Sequence, residues 1–401
     1  MDILFLANLL FCILSRRAAT KMYGALFWIV LFLLTTPCTL CCASRRLKFW
    51  LFFCGTPVVL PEDLEQQAAP TKATNAGALQ NKKLLLPAAI LVAVVLSYFA
   101  AALVTAVYIS TAIDLFPGDS YENCGVSATS VVDGVTHCNW EYYPLIPPNT
   151  EEIKFKSADG ATDLVGWWLN ASTPTQPAVG AMLYHHGSGL NIAAEYREVR
   201  YDIYLQHGIS VFTYDYPGYG KSNGKPSEES VNAASKGALA WLMARTGAST
   251  PSELLQLGRS LGGAVAIRLA SDLGKEDKAF KGTIIQSAFS SYADATAAFF
   301  PTTAWAARSA VGPMFNSVSY VSNAKGCLFH YHGVADEWVP ISQGEALQAA
   351  ATGFTASCTP KMYTDEGVLH DAPMTDKLVT ATFEWMNKDL GIPVVPTAAS
   401  P

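Results

Sequence analysis

Residues 254–273 read LLQLGRSLGGAVAIRLASDL, and the fold turns on them. The run from Leu254 to Leu257 has the length and composition of a buried strand, and Ala264 to Leu273 has helical character. Between them, Gly258-Arg259-Ser260-Leu261-Gly262 sets small residues two before and two after a serine. A strand that turns directly into a helix crowds those flanking positions, so small residues are needed there. The serine hydroxyl is then thrust out at a helix N-terminus, where developing negative charge is stabilised. The segment predicts a nucleophile at Ser260.

A serine hydroxyl needs a general base, and the base needs a carboxylate to orient it. For a serine on such a strand-to-helix turn the chain order is serine, acid, histidine. Of seven histidines, only His330, His332 and His370 follow Ser260. His330 and His332 lie inside the strand-like CLFHYHG, upstream of any suitable acid, so His370 is the base by elimination. Asp336, just past that same run in HGVADEWVP, is the expected acid. Glu337 is its nearest rival; Asp365 and Glu366 follow the next strand and fit less well. The oxyanion donors expected are the N–H of Leu261, after the nucleophile, and the N–H of Ser188 in His185-His186-Gly187-Ser188-Gly189-Leu190-Asn191. Gly187 and Gly189 permit positive φ there, and His186 is read as a structural residue that holds the loop.

Outward from this centre, residues 151–390 alternate short β-rich runs (IKFK, LVGWWL, AVGAMLYHH, ISVFTYDY, LLQLG, GTIIQSA, CLFHYHG, PKMYTD) with helical stretches at 191–206, 228–245, 261–273, 341–351 and 371–389. That rhythm predicts a doubly wound, mostly parallel sheet with helices on both faces. Residues 391–401 are expected to be an unstructured tail, and 114–150 a connector ending in Pro144, Pro147 and Pro148.

The N-terminal part is of another kind. Residues 24–43 and 84–113 carry no charge over 20 and 30 positions, and either suffices to cross a hydrocarbon core of about 30 Å. Between them, 61–83 reads as a mobile cytosolic linker. The shorter apolar runs Ile3–Leu14 and Phe49–Leu60 fall below span length, and the first is a poor signal-peptide core because Asp2 precedes it without a basic residue. Lys82 and Lys83 precede the second span, whereas Asp114, Asp119 and Glu122 follow it. The positive-inside rule puts its N-terminal end in the cytosol and the following domain in a lumen or outside the cell. Asn170-Ala171-Ser172 is an N-glycosylation acceptor usable only on that side.

Composition supports this division. Half of the 401 residues are hydrophobic and 15% charged, too apolar for a wholly soluble or disordered chain. Residues 1–113 hold nine Lys/Arg against four Asp/Glu, a net of +5, which leaves −11 of the total −6 for the remainder. An acidic body argues against a nucleic-acid partner. Among the nine cysteines, Cys38, Cys41, Cys42 and Cys54 lie near Arg45, Arg46 and Lys48, a setting suited to S-acylation. Cys12 sits in the first apolar run. Cys124, Cys138, Cys327 and Cys358 belong to the globular part, and the first two, bracketing a short loop, are expected to form a disulfide. No zinc-ligand spacing occurs, and no cofactor or metal is expected.

Four motifs in order, HHGSGLN, DYPGYGKSNGKPSE (Asp215–Glu228), GRSLGGAVAIRLAS and HGVADEWVP, resemble the membrane-anchored α/β-hydrolase-domain-containing proteins of subfamilies 13 and 17, with the related subfamily 12. The resemblance covers about 180–375. It implies a serine hydrolase with the α/β-hydrolase fold, the triad Ser260, Asp336 and His370, and oxyanion donors Ser188 and Leu261. Two departures stand out: Ser188 replaces an asparagine, and Asp371 follows His370 where the family often has asparagine. Subfamily 17 is similar to cytosolic protein depalmitoylases and subfamily 12 to luminal lysophospholipid lipases; subfamily 13 is single-pass and little defined. With the flanking charges, the expected substrate is an acyl ester of a lipid, of lysophospholipid or monoacylglycerol type, with the membrane as partner. The alternatives are a palmitoyl-protein thioesterase and a non-catalytic membrane scaffold. Peptidase activity is disfavoured because no feature for an amino-terminal anchor is visible. Phe299, Phe300, Trp305, Met314, Phe315 and Tyr320 are expected in a cap that either receives an acyl chain or simply packs.

Overall fold

Among the described residues eight strands form one sheet, and the parallel ones at its centre are buried along nearly their whole length because helices cover both of their faces. The computed structural model describes residues 75–112, 129–132, 135–138, 150–354, 358 and 361–394, divided into two units at Val107/Tyr108.

The first unit contains most of helix α1 (Asn75–Ala112). Leu91–Ser110 within it is long and apolar enough to cross a membrane, with a mean hydropathy of 2.3, and Leu91, Leu96, Phe99 and Leu103 are exposed. The helix starts well before the expected span, so residues 75–83, read as linker, are helical. The span at 24–43 and the runs 3–14 and 49–60 lie outside the described residues.

The second unit opens on the last turn of α1, whose Ile109 is buried with Ala293, Ala297, Ala307 and Val311. Within the expected connector, β1 (Thr129–Val132) pairs antiparallel with β2 (Val135–Cys138). The large sheet follows: β3 (Thr150–Lys156), β4 (Asp163–Leu169), β5 (Gly180–His185), β6 (Ile209–Tyr214), β7 (Leu255–Arg259), β8 (Gly282–Gln286), β9 (Leu328–Gly333) and β10 (Lys361–Asp365). Its spatial order is β10-β9-β8-β7-β5-β6-β4-β3. β4 runs antiparallel to β3 and β6, and all other pairings are parallel. The doubly wound, mostly parallel sheet read from the sequence is therefore present: this is the α/β-hydrolase fold.

Strand alternation builds the two core layers. Leu183 and Phe212 point to one face, where they meet Val231, Ala234 and Leu242 of α3 (Glu228–Thr246) and Val265 and Leu269 of α4 (Leu261–Lys275). Met182, Tyr184 and Val211 point to the other, against Tyr201 and Tyr204 of α2 (Glu195–Gln206) and Phe383 and Met386 of α9 (Asp376–Lys388). Truncating any one of these aliphatic side chains to alanine costs about 2–5 kcal/mol. Helix starts follow local capping. Ser227 accepts from Ser230 N–H at 3.1 Å, and Thr375 accepts from Leu378 N–H at 3.1 Å. That cap, two residues after Pro373, starts α9 at Asp376 rather than at the expected 371. Likewise α2 starts at Glu195, not 191, because Asn191 Oδ1 turns back to accept from Ala193 N–H.

Between β8 and β9 the chain forms the short helices α5 (Tyr292–Ala298), α6 (Ala304–Val311) and α7 (Ser317–Val321), and α8 (Ile341–Ala350) precedes β10. Cys327, at the foot of β9, forms a disulfide with Cys358 across 31 residues. Closing a loop of that length contributes about 4 kcal/mol in the chain-entropy view. The expected partner of Cys138, Cys124, lies outside the described residues. The tail expected from residue 391 is packed at its start: Ile392 is buried in the core and donates its N–H to Met386 O at 3.0 Å.

Candidate active site

The turn from β7 to α4 places Ser260 at φ 54°, ψ −120°, a left-handed conformation that few side chains adopt. Its N–H donates to Gln286 O at 2.9 Å, which anchors the strained residue to β8. Contacts explain the glycines. A Cβ on Gly258 would fall 2.0 Å from Gly262 O, and one on Gly262 would fall 2.0 Å from His185 O. The small flanks are thus a steric requirement of this turn.

Three residues far apart in sequence meet here. Ser260 Oγ lies 3.0 Å from His370 Nε2, and His370 Nδ1 lies 2.7 Å from Asp336 Oδ2. All three are buried. The assignment that satisfies both contacts has Ser260 O–H donating to Nε2 and Nδ1–H donating to the carboxylate. The second carboxylate oxygen accepts from Trp338 N–H at 3.0 Å and Val339 N–H at 2.7 Å. Burial on its own would raise the Asp336 carboxyl; the hydrogen bond and charge of His370, with the Val339 N–H, outweigh it and hold the carboxyl below its ordinary value.

The rivals have other partners. Glu337 Oε2 accepts from the backbone N–H of His370 at 3.0 Å, so it fixes the loop that carries His370 instead of the imidazole. Asp365 accepts from Thr375 Oγ1 at 2.6 Å and pairs with Lys377 at 2.8 Å. His332 donates from Nε2 to Val339 O at 2.8 Å, beneath the acid loop, and burial lowers its pKa. Burial likewise brings His330 down to about 3.

The loop after β5 reaches Ser260: a Cβ built on Gly187 would lie 3.6 Å from Ser260 Cβ. Ser188 follows it directly, and Leu261 opens α4, where the first N–H groups have no acceptor within the helix. Neither Gly187 nor Gly189 uses positive φ; the left-handed residue of the loop is Leu190, at φ 57°. His186 holds the loop, as expected, by donating from Nδ1 to Gly187 O at 2.7 Å and stacking on Tyr216 at 4.1 Å.

Two arginines, not singled out in the sequence, complete the surroundings. Arg259 is buried, donates to His370 O, and pairs with Asp371 Oδ1 at 2.9 Å. Arg197, also buried, donates to the carbonyls of Gly187, Gly189 and Asn191.

The expected cap residues divide. Phe315 is buried, with its N–H donated to Glu228 at 2.7 Å, and Tyr320 O–H donates to the same carboxylate at 2.8 Å beneath Arg268. These two fasten the cap. Phe299 and Trp305 are exposed, and Phe299 meets Trp338 edge to face at 6.1 Å. Trp338 lies parallel to the His370 ring at 6.2 Å, and Leu369 is exposed beside it. Apolar surface therefore rims the mouth of the site.

Residues 176–327 match the family described as serine aminopeptidase, S33. The match includes Ser188 and Ser260 and ends before Asp336 and His370. The chain is 28% identical to the uncharacterized protein YfhR of Escherichia coli K12, over 53% of its own length and 74% of that protein. It is 28% identical to the alpha/beta hydrolase domain-containing protein WAV2 of Arabidopsis thaliana, over 54% of its length and 73% of that protein. It is 30% identical to protein bem46 of Schizosaccharomyces pombe, over 38% of its length and 48% of that protein. By its strand order the chain has the α/β-hydrolase fold, and these similarities all fall on the domain that carries it.

Proposed function

We propose that the protein is a membrane-anchored serine hydrolase that cleaves acyl esters of lipids, of lysophospholipid or monoacylglycerol type. The observation that carries the reading is the relay from Asp336 through His370 to Ser260, with contacts of 2.7 and 3.0 Å on a positive-φ serine. Ser260 Oγ attacks the ester carbonyl while its proton passes to His370 Nε2, and Asp336 stabilises the imidazolium. The tetrahedral oxyanion is held by the N–H groups of Leu261 and Ser188. Collapse breaks the bond to the alkoxy oxygen, which leaves as an alcohol with the proton from His370. Water, deprotonated by His370, then attacks the acyl-enzyme and releases the fatty acid.

The apolar rim of Phe299, Trp338 and Leu369 favours an acyl chain over a peptide amino terminus, although the matching family is described as an aminopeptidase. Luminal placement is supported by the charge flanks, by Asn170 on the loop after β4, and by the Cys327–Cys358 disulfide, since such bonds persist in oxidising compartments. A cytosolic palmitoyl-protein thioesterase is the second reading, suggested by the cysteines beside the N-terminal basic cluster. A fluorophosphonate probe is expected to label the wild-type protein and not Ser260→Ala; equal labelling of both would overturn the mechanism. A fold kept only as a scaffold would show no turnover of p-nitrophenyl esters of any chain length.

A further inference from the structure

Carbonyl groups of alternate residues in the loop after β5 converge on one cation. The Arg197 guanidinium donates to Gly187 O at 3.1 Å and also to Gly189 O and Asn191 O. In a trans peptide the N–H points opposite to the carbonyl of the same plane. With the Gly187 carbonyl held toward Arg197, the Ser188 N–H is turned to the other side. Gly187 itself abuts Ser260. Both ends of the loop are pinned independently: Tyr216 O–H donates to His186 O at 2.7 Å, and Ile192 N–H donates to Asp215 Oδ1 at 3.0 Å. Between the pins the Gly187 carbonyl also accepts from His186 Nδ1–H at 2.7 Å, and Arg197 adds the Gly189 and Asn191 carbonyls, so that several peptide planes are set at once. A planar fork with several N–H donors can fix them together, which a lysine ammonium cannot.

We propose that Arg197 is a positioning residue for the reaction: by gathering the Gly187, Gly189 and Asn191 carbonyls, it aims the Ser188 N–H at the oxyanion. Its guanidinium donates to backbone carbonyls of the loop, and it acts through their peptide planes. The inference rests on Ser260 being the nucleophile and goes beyond that assignment, because it makes a buried cation on α2 set the strength of transition-state binding.

The test uses full-length protein in detergent micelles, comparing wild type with Arg197→Lys and Arg197→Met. Two quantities are measured: turnover of a p-nitrophenyl ester, and affinity for an alkylboronic acid, whose tetrahedral adduct on a serine places an oxygen where the oxyanion forms. A misaimed donor is expected to lower kcat by about tenfold to a hundredfold, less than the roughly hundredfold to thousandfold loss seen when one oxyanion donor is removed outright. KM is expected to change little, and boronate affinity to fall in parallel with kcat/KM. A residue that merely stabilises the fold would lower the melting temperature and leave kcat and boronate affinity of the folded fraction intact. That result in either variant would overturn the proposal. Failure of both variants to fold would assign Arg197 to the core and overturn it as well. A wild-type protein that neither turns over esters nor takes a fluorophosphonate label would instead sink the nucleophile assignment.

Discussion

Arg259 donates to the backbone carbonyl of His370, so the residue immediately before Ser260 holds the loop that carries the proposed base. The same guanidinium pairs with the exposed Asp371 at 2.9 Å. Arg259→Met leaves a buried carbonyl unpaired, at a cost of about 1–3 kcal/mol, and frees the histidine loop. A displacement near 1 Å at a reacting group costs on the order of a hundredfold. The expected outcome is a lower kcat and a lower melting temperature. Asp371→Asn, which keeps an acceptor at an exposed position, is expected to change kcat by less than about threefold. Steady-state kinetics on both variants checks the contrast.

Asp336 and Glu337 are adjacent carboxylates with different tasks. Asp336→Asn removes the acceptor of His370 Nδ1–H and favours the wrong tautomer, so kcat is expected to fall by about 10⁴-fold with the fold intact. Glu337→Gln retains an oxygen for the His370 backbone N–H and is expected to cost about tenfold or less. Equal losses in the two variants would show that the imidazole partner has been misassigned.

Asp215 provides a pH signature in stability. Burial raises its carboxyl to about 6, against the opposing pull of the Ile192 and Lys221 N–H groups and of Arg197 and Lys221. The folded state thus holds this proton more tightly than the unfolded chain. Its contribution favours folding at low pH and is lost as pH rises from the ordinary value of 3.8 through about 6. Asp336 has the opposite sign, because its lowered pKa contributes above the ordinary value and is lost on acidification. Urea unfolding of wild type and Asp215→Asn between about pH 4 and 7 is expected to show a slope in the wild type that the variant lacks. The variant should also be less stable throughout, since an amide cannot accept two N–H donors on separate oxygens.

The Cys327–Cys358 disulfide and Asn170 test compartment together. Non-reducing electrophoresis is expected to show faster migration than after reduction. Cys327→Ala with Cys358→Ala should lose about 2–4 kcal/mol of stability. Endoglycosidase should shift the wild type and leave Asn170→Gln unchanged. Free thiols with no glycan, in protein purified from cells, would favour the thioesterase reading.

Much of this was legible in the sequence because the informative signals are local. Strands buried on both faces read as continuous apolar runs, and the crowding at Gly258 and Gly262 is a property of the turn itself. The chain order of Ser260, Asp336 and His370 left few ways to join them. Where the reading went astray, local interactions competed with periodicity. Thr375 capped α9 later than its apolar pattern began, and Asn191 bent the chain ahead of α2. The helices α5 to α7 are too short to show a period, and Ile392 reads as tail until Met386 is seen to accept its N–H. Arg197 and Arg259 were invisible for a different reason. Their partners are mainly carbonyls, which every residue possesses, so no side-chain pattern marks them.

The burial of Ile109 with Ala293, Ala297, Ala307 and Val311, and the packing of Tyr108 against Phe300 at 6.4 Å, bear on how the enzyme can be handled. The last turn of the apolar helix is a piece of the catalytic unit's own interior. A fragment cut at the end of the apolar stretch Leu91–Ser110 would uncover the alanine seam of α5 and α6 and invite aggregation there. A fragment beginning near residue 107 would carry that plug with it.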